Sequence, residues 1–186
     1  MRLRLLLMVL FVTGCHVSQP RPEPNRSSGL HHYPLLPPAS FGRSLELEQL
    51  LQGRFRDEPF QLRIHIEIEA EQLLVVGLTT VQTRAFALRY DGKSLEFQNY
   101  TGRDMPFPAG MILSDIQLVL WPTLPEHQGW RVVDYVATQR RLVFFDDRLV
   151  SWIQYNGTSA MQGETLLANM QYGYQLRIRT VTVSAK

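Results

Sequence analysis

The side chains able to do covalent or acid–base chemistry are few and scattered. Cys15 is the only cysteine, so neither a disulfide nor a Cys-based zinc site can form, but one thiol can still accept an acyl group. His31 and His32 are adjacent and could offer a metal two nitrogens, but they stand in a Pro-rich stretch, where histidines are ordinarily solvated. His65 falls on the polar side of an alternating run. Asp146-Asp147 is a paired carboxylate, and it lies between two strand-like runs, where aspartate favours a turn for conformational reasons. Ser114-Asp115 would pair a hydroxyl with a carboxylate, but consecutive residues of a helix do not face each other. No Gly-rich phosphate loop, His-Glu-x-x-His or Gly-x-Ser-x-Gly occurs. The chain reads as a non-enzymatic protein, with no catalytic residue, no resident metal and no cofactor.

The thiol of Cys15 gains meaning from what precedes it. Met1-Arg2-Leu3-Arg4 is basic, Leu5 to Val12 is apolar, and Val12-Thr13-Gly14-Cys15 follows. A basic start, a short apolar run and small residues at the cut describe a secretory signal. The run is too short to span a bilayer, which takes roughly 20 residues. Val-Thr-Gly-Cys resembles the bacterial lipobox. That resemblance implies a signal peptide over residues 1–14, cleavage after Gly14, and acylation of Cys15 at its thiol and new amino group. Several acyl chains anchor a protein stably, where one is marginal. His16 stands where aspartate would signal inner-membrane retention, so the resemblance implies an outer-membrane protein, lipid-anchored on the periplasmic face.

Residues 15–40 are expected to be the lipidated cysteine and a tether. Pro20, Pro22, Pro24, Pro34, Pro37 and Pro38 interrupt both helix and ladder formation. The formal charge of +2 falls further once Arg2 and Arg4 leave with the signal, which argues against a nucleic-acid partner. Residues 41–186 are long enough for one domain with a sizeable core.

Within that domain, Ser44 to Gln52 is predicted to be a short helix: Ser44 as N-cap, Leu47, Leu50 and Leu51 as its stripe, Gly53 as C-cap. The period then becomes two. In Gln61 to Glu69, Leu62, Ile64, Ile66 and Ile68 share one face of a half-buried strand. Further strands are predicted over Leu73 to Leu78, Arg84 to Tyr90 and Ser94 to Asn99, the last two joined by the hairpin signal Asp91-Gly92. Ala109 to Trp121 has helical spacing and ends at Pro122. Strands resume over Trp130 to Val136, Arg140 to Phe145 and Leu149 to Tyr155, with Asn156-Gly157 as another hairpin signal. Tyr172 to Val183 is the last, and its change of phase at Thr180 predicts a bulge.

The expected fold class is mainly β (α+β): a single antiparallel, strongly curved, open β-barrel of about 8–10 strands with short helices. A sheet that curls beneath an apolar helix either encloses a hydrophobic cavity or is filled by that helix, and both arrangements fit the pattern. In the first, Ile112, Leu113, Ile116, Val119, Leu120 and Trp121 form a lid and Phe86 and Leu88 the facing wall.

Family resemblance extends this reading. The lipobox, the short helix expected ahead of the first strand and the run from Phe60 to Tyr90 look like LolB-type outer-membrane lipoproteins, which share an open β-barrel with the periplasmic carrier LolA. Gly77-Leu78-Thr79, Thr83-Arg84-Ala85-Phe86, Pro106-Phe107-Pro108, Ile112 to Leu118 and Leu120-Trp121-Pro122 resemble an uncharacterised bacterial lipoprotein family associated with aryl-polyene lipid gene clusters. The resemblance implies a protein that binds or receives a hydrophobic ligand: an acyl or aryl-polyene lipid, or a lipoprotein's acyl chains. A LolA-like periplasmic carrier is the implied partner. Val81 falls where LolB-type proteins carry a protruding apolar loop, although Val81-Gln82 replaces the Pro-Leu-Gly pattern of that loop. The alternative is a structural or adaptor lipoprotein with a filled core and a protein partner.

Overall fold

The computed structural model describes residues 31–55 and 58–185. Cys15, the signal peptide and the first half of the Pro-rich segment lie outside the described residues.

Ten strands form one antiparallel sheet: β1 (Leu45–Phe55), β2 (Glu58–Ile68), β3 (Leu73–Leu78), β4 (Arg84–Tyr90), β5 (Leu95–Asn99), β6 (Trp130–Tyr135), β7 (Arg140–Phe145), β8 (Arg148–Ser159), β9 (Gln162–Asn169) and β10 (Tyr174–Ala185). Their order is β5-β4-β3-β2-β1-β10-β9-β8-β7-β6. The first and last strands meet at the centre, and β5 and β6 are the two free edges. The barrel is therefore open, and helix α1 (Ala109–Leu120) with its flanking loops connects one edge to the other.

β1 overturns the helix predicted for Ser44 to Gln52. Leu45, Leu47, Gln49 and Leu51 suit period two as well as a helix, and β1 pairs on both sides, Leu47 with Ile66 of β2 and with Val183 of β10. Two ladders outweigh the local helix preference, which sums to little over one short segment. Asn156-Gly157 is not a turn either. Both residues belong to β8, and the chain reverses at Ala160-Met161. Gly157 sits at a register irregularity where a Cβ would lie 2.0 Å from the Gln162 carbonyl oxygen, so glycine serves close backbone approach there.

Other signals match their elements. Asp146 and Asp147 have φ of 46° and 58°, as a two-residue primed turn requires. Asp91 Oδ1 accepts from the backbone N–H groups of Lys93 and Ser94 at 2.8 and 2.7 Å, closing the β4–β5 turn. In β10, Thr180 faces Gln49 and Thr182 faces Glu48, which leaves Val181 as the bulged residue. His65 points outward beside Glu46, 3.8 Å away.

Helix α1 follows Pro108 and ends at Trp121, whose ψ of 125° is the extended value imposed by the following Pro122. Its C-terminal carbonyls are capped from the sheet. Arg141 of β7 is buried and donates from Nη1 to Leu118 O (2.6 Å) and Trp121 O (2.9 Å), while its other nitrogens fork Asp134 at 2.7 and 3.0 Å. A cation at this end also suits the helix dipole. The Tyr155 hydroxyl donates to Val119 O at 3.1 Å.

The outer side of α1 is covered by residues 31–41, expected to be tether as far as Ser40. Tyr33, Leu36 and Phe41 are core residues. Tyr33 donates its hydroxyl to Pro125 O and meets Trp130 edge-on, and Trp121 donates its indole N–H to Ser40 Oγ at 2.8 Å. His31 lies on the Phe145 ring, 4.6 Å between centroids. Burial of these apolar residues makes the segment part of the domain. His31 and His32 themselves remain exposed, His31 beside the Phe145 ring and His32 Nδ1 3.0 Å from Tyr33 O, and among the described residues no cluster of three metal-ligating side chains occurs.

Candidate functional site

Between α1 and the inner face of the sheet lies a cavity of about 380 Å³. Alternation along the strands builds one wall from Leu51, Leu62, Ile64, Ile66, Val75 and Ile178, and helical spacing builds the other from Met111, Ile112, Ile116 and Val119. The cavity opens beside Glu58, Pro59 and Thr101, which are exposed. At that end stand the last residues of β1 and the turns after β3 and β9, and Phe107 packs there on Phe55 (4.8 Å) and Tyr174 (4.7 Å). A volume of 380 Å³ falls within the range of small-ligand pockets. An apolar cavity of smaller size already stays dry and admits apolar guests.

Two glycines give the wall its shape. A Cβ on Gly53 would lie 2.3 Å from the Phe60 ring, and one on Gly77 would lie 2.4 Å from the Phe86 ring. Both rings therefore pack directly on bare backbone, and both line the cavity.

Of the residues expected to form lid and wall, Phe86, Ile112, Ile116, Val119 and Leu120 line the cavity. Leu88, Leu113 and Trp121 do not. Leu88 is buried in the ladder opposite Val75. Leu113 precedes Gln117 by one helical turn, on the side that meets residues 31–41. Trp121 lies past the end of α1, against Phe41 at 4.9 Å. A helix apolar around most of its girth serves two layers, so only one stripe can face the cavity.

Val81 is 76% exposed at the tip of the β3–β4 turn. Thr79 and Thr83 tie the base of that turn through a backbone bond of 2.9 Å and a hydroxyl contact of 2.8 Å. Next to it, Arg84 lies over the half-exposed Tyr100 ring at 5.9 Å.

Sequence reasoning weighed Asp115 only as a neighbour of Ser114 and did not place it in the cavity. It is buried, lines the cavity, accepts a hydrogen bond from the Tyr174 hydroxyl, and lies 3.5 Å from Asn169 Nδ2. Asn169 is itself held, its Oδ1 accepting from the Tyr172 N–H at 3.2 Å. Burial raises the Asp115 carboxyl from 3.8 to about 7, against the opposing hydrogen bonds from Tyr174 and Asn169. The signal was available: Asp115 is the only charged residue between Ala109 and Trp121. Ser114 is buried as well, and the hydroxyl that pairs with Asp115 is that of Tyr174.

Fold and cavity define a class: an open, antiparallel half-barrel whose apolar interior is lidded by a helix. A family model described as "Protein of unknown function (DUF3261)" matches residues 46–182, and the chain belongs to that family. No curated protein matches significantly. Among solved structures, the chain is similar to a LolA superfamily protein from Nitrosomonas europaea, with 10% identity and a TM-score of 0.48 over 80% of this chain and 90% of that one. It is also similar to a DUF1329 family protein from Desulfovibrio piger (10% identity, 77% and 86% covered, TM-score 0.38). A third similarity is to an outer membrane lipoprotein-sorting protein domain from Vibrio parahaemolyticus (6% identity, 77% and 86% covered, TM-score 0.40).

Proposed function

We propose that this protein is a non-enzymatic outer-membrane lipoprotein that holds or receives a hydrophobic ligand in its half-barrel. The observation that carries this reading is the apolar cavity between α1 and the sheet, open at one end. Its ligand is an acyl chain, an aryl-polyene lipid or the acyl chains of a lipoprotein. Burying acyl chain is favourable by about 0.8 kcal/mol per methylene, enough to shield a lipid in water yet release it where a membrane offers equal refuge. Anchorage through Cys15 would keep the domain at the membrane. His31, the first described residue, lies beside Phe145 and Gln171, at the end of the sheet that also carries the mouth and Val81. Exposed Val81 would touch the bilayer during hand-over from a LolA-like carrier.

The direct test is displacement of a fluorescent fatty acid, followed by transfer of labelled lipid from a LolA-like carrier of the same host. Saturable displacement and movement of label onto this chain are expected. Absence of both would favour an adaptor lipoprotein that binds a partner protein through its outer face.

A further inference from the structure

The described residues lining the cavity include no lysine, arginine or histidine, yet one of them is a deeply buried carboxyl group. Elsewhere in this fold a buried charge has its counter-charge: Arg141 is forked by Asp134. Among the described residues Asp115 has neutral partners alone, the Tyr174 hydroxyl on Oδ2 and the Asn169 amide on Oδ1. A carboxylate has about four acceptor positions, so these two donors leave capacity on both oxygens. The two partners come from the end of β9 and the start of β10 and hold the carboxyl in place, and Asp115 also lines the cavity. A carboxyl placed on an otherwise apolar wall is costly unless something pairs with it.

We propose that Asp115, positioned by Tyr174 and Asn169, selects the polar end of the cavity's ligand. It favours a long-chain molecule that ends in a hydrogen-bond donor, an amine or a hydroxyl, over one that ends in a carboxylate or phosphate. This rests on the reading that the cavity holds a lipid chain. An ammonium supplies the missing counter-charge, and a hydroxyl donates to a free acceptor position. An anionic end meets a carboxylate with no cation among the lining residues to offset it. Glu58 at the mouth adds to the same bias, since an anion entering there passes a second carboxyl group.

The test uses the full chain in detergent at pH 8, above the pH where Asp115 gives up its proton. Three photo-crosslinkers share one 16-carbon chain with a mid-chain diazirine and differ only in ending as amine, alcohol or acid. Yield on the peptide carrying α1 is read by mass spectrometry. The amine should exceed the acid by about tenfold, the order expected of one charge-assisted hydrogen bond, with the alcohol between them. Asp115→Asn, isosteric with the native residue, should bring the amine down to the level of the acid. Equal labelling by all three, an acid preference, or an amine preference that survives Asp115→Asn in a folded variant would overturn the proposal and leave lipid binding standing. If no probe labels α1 in either protein, lipid binding itself fails and takes this inference with it. The wild-type ranking decides the matter even if the variant does not fold.

Discussion

The side-chain amide of Gln117 pairs with the backbone of Leu36 in both directions: Gln117 Oε1 accepts from the Leu36 N–H at 2.9 Å, and Gln117 Nε2 donates to Leu36 O at 2.7 Å. Gln117 is fully buried. One amide thus does for residues 31–41 what a ladder rung does in a sheet, and it fixes that segment along the outer side of α1.

Gln117→Leu should therefore destabilise the protein by about 1–3 kcal/mol, because it keeps the volume but leaves the Leu36 N–H and C=O buried without partners. Urea denaturation gives the value, and proteolysis should show cleavage moving into residues 31–41. An unchanged midpoint would mean that the segment contributes nothing to the fold.

Ile116 belongs to the cavity stripe with Ile112 and Val119. Ile116→Asp would place a new carboxyl group on the apolar wall at a cost of several kcal/mol unless it binds a proton. Acyl-probe binding and thermal stability should both fall. Ile116→Phe fills space without adding charge, so it should weaken binding with a stability change of about 1–3 kcal/mol at most. Full binding by both variants would place the ligand elsewhere.

Asp115 gives stability a pH dependence of defined sign. Its carboxyl is raised by burial from 3.8 to about 7. Between those values the folded protein keeps a proton that the unfolded chain has lost. Stability from this group is thus full below pH 4 and declines as pH rises to about 7, by at most about 1.4 kcal/mol per unit. Asp115→Asn should flatten that decline and be the more stable protein at pH 8. Urea midpoints measured from pH 4 to pH 8 for both proteins would show it; parallel curves would refute the assignment.

For the anchor, Cys15→Ser should abolish labelling by a palmitate analogue and leave unprocessed precursor, because a hydroxyl cannot replace the thiol as acyl acceptor. Equal label on both proteins would remove the basis for membrane attachment through this residue.

Much of the fold was legible because strands and turns are written locally. Period two over Leu62 to Ile68, the Asp146-Asp147 turn and the helix closed by Pro122 each depend on neighbours within a few residues. The candidate site was legible in part. Helical spacing put Ile112, Ile116 and Val119 on one stripe, but spacing alone could not say which of two apolar sides faced a cavity.

By itself, then, the sequence determined one cysteine behind a signal-like start, an antiparallel mainly β chain and one apolar helix in mid-sequence. Only tertiary structure decided that Leu45 to Gln52 becomes strand, since its ladders run to residues far along the chain, such as Thr180 opposite Gln49. Only tertiary structure set residues 31–41 against α1, left a cavity on its other side, and brought Asp115 to Asn169 and Tyr174. Each of these depends on contacts between residues tens of positions apart, and their strength comes from burial and geometry that no local pattern records.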